Sequence, residues 1–127
     1  MIGNHRRRAL VIDDDEQIRV MVTAILQGSG FVVTTARDGE EGIALLGTRQ
    51  FHLILLDLMM PKVDGFGVLK FLHQRRPELL AKVVIMSAMS VGELQERFPA
   101  RMEKVIQKPF DIHLLVSYAE AVANVNH

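Results

Sequence analysis

Five short apolar runs recur along the chain: ALVI (9–12), FVVTTA (31–36), HLILLDL (52–58), KVVIMSA (82–88) and KVIQ (104–107). The first, third and fourth are nearly continuous rather than alternating, the pattern of parallel strands covered on both faces. Between the runs lie segments with helical spacing. Ile18, Met21, Val22, Ile25 and Leu26 mark one helix, Ile43, Leu45 and Leu46 a second, and Val68, Leu69 and Leu72 a third. A last helix is predicted from about Asp111 to Val125, with Leu114, Leu115, Tyr118 and Val122 on its inner face. Strand and helix alternating five times over predicts an α/β fold, a doubly wound (βα)5 sandwich.

The punctuation agrees. QGSG (27–30) ends the first helix, RDG (37–39) turns into the second, Asp64-Gly65 turns into the third, and RRP (75–77) stops it. Pro99 interrupts the stretch from Ser90 to Lys104, so the fourth helix is expected to be short. No repeat or linker divides the 127 residues, and a single domain over 1–127 is expected.

Composition narrows the function classes. The 15 Lys and Arg balance the 15 Asp and Glu, so overall charge argues for neither nucleic-acid nor membrane-surface binding. HRRR (5–8) is read as the end of a solvated basic flank, residues 1–8. The apolar residues after it are too few for a signal peptide, and no run approaches membrane-spanning length. Cysteine is absent, which fits the reducing cytoplasm, and a cytoplasmic location is expected.

In open parallel sheets ligands bind beyond the carboxyl ends of the strands. The polar residues there are Asp13 and Asp14 after the first run, Asp57 in the third, Ser87 after the fourth and Lys108 after the fifth. A lone aspartate at such a place is usually a cap or turn former. Five strand-end groups supplying acid, hydroxyl and cation together are not explained by capping. Three carboxylates can hold Mg²⁺, Asp57 can act as an oxygen nucleophile, and Ser87 and Lys108 can donate to phosphoryl oxygens. Asp15 and Glu16 are expected to face solvent at the start of the first helix, where its dipole favours negative charge. His52, His73 and His113 lack metal-ligand spacing and read as surface or strand-edge residues.

The stretches ALVIDDDEQIR (9–19), LILLDLMMPKVDGFGVL (53–69), VVIMSA (83–88) and QKPF (107–110) resemble a response-regulator receiver domain of two-component signalling. The resemblance implies a flavodoxin-like sheet of order 2-1-3-4-5. It makes Asp57 the phospho-acceptor, with Asp13 and Asp14 as the acidic pair of a Mg²⁺ site that the Met59 backbone carbonyl completes. Ser87 becomes the hydroxyl that turns toward the phosphoryl group and Lys108 its ion-pair partner, followed by a cis bond to Pro109. It implies a signalling domain, not a conventional enzyme, that promotes its own phosphorylation and dephosphorylation. The expected donor is a histidine kinase or a histidine phosphotransfer domain. Output would run through the surface between the fourth and fifth helices of a monomer or weak homodimer, with no direct contact to nucleic acid or membrane.

The chain departs from the family in places. Val105 stands where relatives commonly carry an aromatic, so the conformational change is expected to travel by backbone shifts or through another side chain, Phe98 or Phe110 being the candidates. FPARMEK (98–104) replaces the usual Gly-Ala-Asp stretch. Met59 and Met89, at positions that tune hydrolysis in relatives, offer no hydrogen bond to an attacking water, so a long-lived phosphoryl group is expected. A haloacid-dehalogenase-type phosphohydrolase would follow its second aspartate with Gly or Thr, whereas Glu16 follows Asp15 here. A flavin-mononucleotide binder would need a hydroxyl- and glycine-rich first loop, and this one is acidic.

Overall fold

The computed structural model describes residues 6–97 and 104–124. The elements are β1 (Arg7–Ile12), α1 (Glu16–Gly28), β2 (Phe31–Ala36), α2 (Gly39–Leu46), β3 (Leu53–Asp57), α3 (Gly65–Arg75), a 3₁₀ helix (Pro77–Lys82), β4 (Val83–Ser87), α4 (Val91–Arg97), β5 (Val105–Gln107) and α5 (Ile112–Asn124). All strand pairings are parallel and the order is β2-β1-β3-β4-β5, the doubly wound, flavodoxin-like arrangement that the sequence and the resemblance implied.

The sheet's two faces bury separate cores, because side chains alternate along each strand. Leu10, Ile12, Ile54, Leu56 and Ile85 face one way, against Leu46 of α2, Val68, Leu69 and Leu72 of α3, and Leu94 of α4. Ala9, Val11, Leu53, Leu55, Val84, Met86 and Ile106 face the other, against Val22 and Leu26 of α1 and Leu115, Ala119 and Val122 of α5. This double burial is why the three central strands read as unbroken apolar runs.

Each α-helix starts on a side chain that accepts from its free backbone N–H groups. Asp15 accepts from Gln17 N and Ile18 N, Asp38 from Glu41 N, Asp64 from Gly67 N and Asp111 from His113 N and Leu114 N. At α4 the cap is reciprocal: Glu93 N donates to Ser90 Oγ (3.1 Å) and Ser90 N donates to Glu93 Oε1 (2.9 Å). Because every α-helix follows a parallel strand, these starts all lie at the carboxyl edge of the sheet.

Several expectations change. The basic run is not wholly a solvated flank, since β1 begins at Arg7. The Arg7 guanidinium sits 4.3 Å over the Phe31 ring and donates to Glu120 Oε1 (2.6 Å) and to the Ser29 carbonyl (2.7 Å), tying the start of the sheet to α5. Met21 and Leu114 belong to their helices but are exposed, and the inner faces are carried by Val22, Leu26 and Leu115. The 3₁₀ helix after Arg76 was not anticipated. His52 is half-buried and accepts from Arg8 N through Nδ1. Phe98 and nearly all of FPARMEK lie outside the described residues. No helix among the described residues is long and apolar enough to cross a membrane.

Gly65 opens α3 where no side chain fits: a Cβ there would lie 2.5 Å from the Asp57 carbonyl oxygen and 2.6 Å from Leu58 Cα. Both are backbone atoms of the strand end and cannot swing aside. Gly65→Ala is expected to lose about 2–3 kcal/mol, read as a lower urea midpoint with an unchanged slope.

Candidate functional site

Register gathers the acidic residues before any side chain is considered. Ile12 pairs with Leu56, so Asp13 and Asp57 follow at adjacent strand ends, and both share the alternation of Val11 and Leu55. Asp57 pairs with Met86 and Ser87 with Gln107, which brings the last two polar groups to the same edge.

Asp13 is fully buried, and Asp57 is only 3% exposed. The Lys108 ammonium lies between them, 2.8 Å from Asp13 Oδ2 and 3.4 Å from Asp57 Oδ2. The other oxygen of each carboxylate meets a backbone donor: Asp15 N donates to Asp13 Oδ1 (2.9 Å), and Met59 N donates to Asp57 Oδ1 (3.1 Å). Asp14 is exposed at the rim. One oxygen each from Asp13, Asp14 and Asp57 lies within 4.8 Å of the others.

One ammonium does not neutralise this cluster. Burial and then the charge of Asp13 push the Asp57 carboxyl up to about 6, although Lys108 and the Met59 N–H oppose them. For Lys108, burial works against the charged form, but the hydrogen bond to Asp13 and the field of both carboxylates outweigh it and raise its pKa. An all-oxygen set with charge to spare fits a hard divalent cation such as Mg²⁺.

Ser87 is the last residue of β4 and is fully buried; its Oγ accepts from Met89 N (3.0 Å), while its carbonyl accepts from Lys108 N (2.8 Å). The Lys108–Pro109 peptide is cis, as the resemblance implied. The two methionines differ. Met59 is 52% exposed beside Asp57, whereas Met89 is buried in the core formed with α2, α3 and α4. Val105 is half-buried against that same core, and Phe110 packs on the opposite one.

Two contacts were not foreseen from the sequence. The Arg19 guanidinium donates to the Asp13 carbonyl oxygen (2.7 Å), and the Gln107 amide nitrogen donates to the Met89 carbonyl oxygen (3.0 Å). A polar residue directly before the strand-end lysine was the only available signal for the second; nothing in the spacing marks the first.

With fold and site in place, the relationship is direct: this chain belongs to the response regulator receiver domain family, whose model matches residues 9–120, and is thereby a receiver domain of two-component signalling. It is 37% identical over 118 residues to the DNA-binding dual master transcriptional regulator RpaA of Synechocystis sp., covering 91% of this chain and 48% of that protein. It is 36% identical over 114 residues to Response regulator RR06 of Streptococcus pneumoniae, covering 89% and 51%. The chain thus spans about half the length of these relatives, which are regulators and not conventional enzymes. Among solved structures it superposes on the Francisella response regulator 1452 receiver domain with a TM-score of 0.82 at 30% identity, covering 92% of this chain and 96% of that one. The response regulator protein TrrA of Thermotoga maritima, solved in complex with Mg(2+)-BeF, matches with a TM-score of 0.80 at 25% identity over 91% and 98%.

The raised Asp57 pKa fixes a sign. The folded state holds the Asp57 proton more tightly than the unfolded chain, so this group's favourable contribution is complete below pH 4 and is lost as pH rises through about 6. Asp57→Asn should therefore gain stability relative to the parent between pH 4 and pH 7.5 in metal-free buffer, on the order of 2 kcal/mol. Denaturant unfolding of both proteins at the two pH values reads the difference.

Proposed function

We propose that this chain is a phosphorylatable receiver in which Asp57 accepts a phosphoryl group in a Mg²⁺-dependent reaction. One observation carries the reading: a buried carboxylate, Asp57, crowded by Asp13 and reached by the Lys108 ammonium at the open edge of a parallel sheet. A purely structural ion pair would not need a second buried acid. The donor is a phosphohistidine of a kinase or phosphotransfer domain, or a small acyl phosphate. An Asp57 carboxylate oxygen attacks phosphorus, the P–N bond to the donor imidazole breaks, and the leaving imidazole takes up a proton from solvent.

The roles follow from the chemistry. Asp13, Asp14, Asp57 and the Met59 carbonyl would hold Mg²⁺, which when bound neutralises carboxylates that otherwise repel the incoming phosphoryl group. Lys108 stabilises charge spread over the transferred oxygens, and its contact with Asp13 holds it within reach of Asp57. Ser87 donates to a phosphoryl oxygen once its hydroxyl turns from its own loop. Phosphorylation and dephosphorylation are both promoted by this one set of groups. The product adds charge and acceptors at the edge where β4 and β5 end, and so shifts the surface formed by α4, β5 and α5 and its affinity for partners. The domain works in the cytoplasm, as a monomer or weak homodimer, with no direct nucleic-acid or membrane contact. The solved Mg(2+)-BeF complex of TrrA, 25% identical, supports the metal assignment.

Incubation with acetyl phosphate and Mg²⁺ is expected to add one phosphoryl group by mass spectrometry, lost in Asp57→Asn and abolished by chelation. Persistent labelling of Asp57→Asn would overturn the acceptor assignment. Lys108→Ala should lower the labelling rate by about 10²-fold while retaining the label site. Exposed Met59 gives no hydrogen bond to an attacking water, so Met59→Asn should shorten the lifetime of the phosphorylated protein several-fold, measured by decay of the labelled species.

A further inference from the structure

Val105 offers no ring to couple the serine to the output face, yet a polar link between the same two strands is present. The Gln107 amide donates to the Met89 carbonyl (3.0 Å), across the end of the β4–β5 pair where Ser87 and Gln107 are register partners. Met89 is held on its other side as well, because its N–H donates to Ser87 Oγ (3.0 Å). The next residue, Ser90, begins the reciprocal cap of α4. Gln107 also directly precedes Lys108, whose N–H donates to the Ser87 carbonyl and whose ammonium reaches Asp13 and Asp57. One side chain thus ties the loop that carries the hydroxyl and starts α4 to the strand that carries the cation.

We propose that Gln107 is a positioning residue that pins the loop after β4 in the unphosphorylated arrangement and takes the place of the missing aromatic as the link between site and output surface. This rests on the phosphorylatable-receiver reading above. The serine hydroxyl that must face the phosphoryl group here accepts from Met89 N, so its turn toward Asp57 gives up that bond and calls for the loop to rearrange at a residue whose carbonyl is fastened to β5. A contact made in one arrangement and strained in the other biases the equilibrium toward the first. Removing the amide donor therefore favours the phosphorylated-like arrangement.

The test uses beryllofluoride with Mg²⁺ as the phosphoryl mimic, titrated into the whole chain and followed by amide NMR signals of Met89 and Ser90. Gln107→Met keeps the length and bulk of the side chain without the donor; Gln107→Ala removes both. Both variants are expected to bind the mimic about 2- to 10-fold more tightly than the parent. Without the mimic, their Met89 and Ser90 signals should already be displaced along the line joining the parent's free and bound positions. Thermal unfolding confirms that each variant is folded. Unchanged or weaker binding by Gln107→Met overturns the proposal, as does an effect confined to Gln107→Ala, which would assign it to lost packing. If the parent itself fails to bind the mimic, or Asp57→Asn binds it equally well, the receiver reading fails instead.

Discussion

Two buried carboxylates share one ammonium at the end of the sheet, and much of the surrounding architecture keeps that arrangement tolerable. Asp13 and Asp57 lie side by side because β1 and β3 are parallel neighbours in register, and Lys108 reaches both because β5 ends at the same edge. Burying like charges together is costly unless donors and a counter-charge are fixed in place. Backbone N–H groups of Asp15 and Met59 supply the donors, each two residues beyond the acid it serves. The remaining imbalance shows as the raised Asp57 pKa. Such an all-oxygen set with charge to spare fits a hard divalent cation.

The helices contribute by where they begin. In a parallel sheet with crossover helices, every helix start falls at the carboxyl edge, and here each is capped by its own side chain: Asp15, Asp38, Asp64, Ser90 and Asp111. The acidic run after β1 is thereby divided. Asp13 turns inward, Asp14 stays at the rim, and Asp15 is spent on α1. Adjacent residues of one chemical type do three different things because the strand ends, the chain turns and the helix begins within three positions.

Much of this was legible in the sequence. FVVTTA gave β2 its bounds because glycine precedes it and a turn follows, and the unbroken runs of β1, β3 and β4 announced their double burial. The five strand-end residues were found by type and place, and the structure brings them to one edge. What escaped depended on partners remote in sequence. Arg7 looked like the end of a solvated flank because Glu120 lies 113 positions away. Gln107 looked like no more than the end of the fifth strand because its partner is a backbone carbonyl, which no side chain advertises. Periodicity could not choose between Leu114 and Leu115, which are only one residue apart on α5, and packing buries the second.

The alternation of side chains across the sheet has a further consequence. Asp13 and Asp57 lie in line with the residues that pack on α1 and α5, whereas Ser87 shares the alternation of Val83 and Ile85, which pack on the opposite side. The site therefore belongs to neither core. It sits on the seam between the two packed layers, at the carboxyl edge of the sheet that separates them. A group held by the aspartates and the serine together would touch both layers at once, like a rivet set through them.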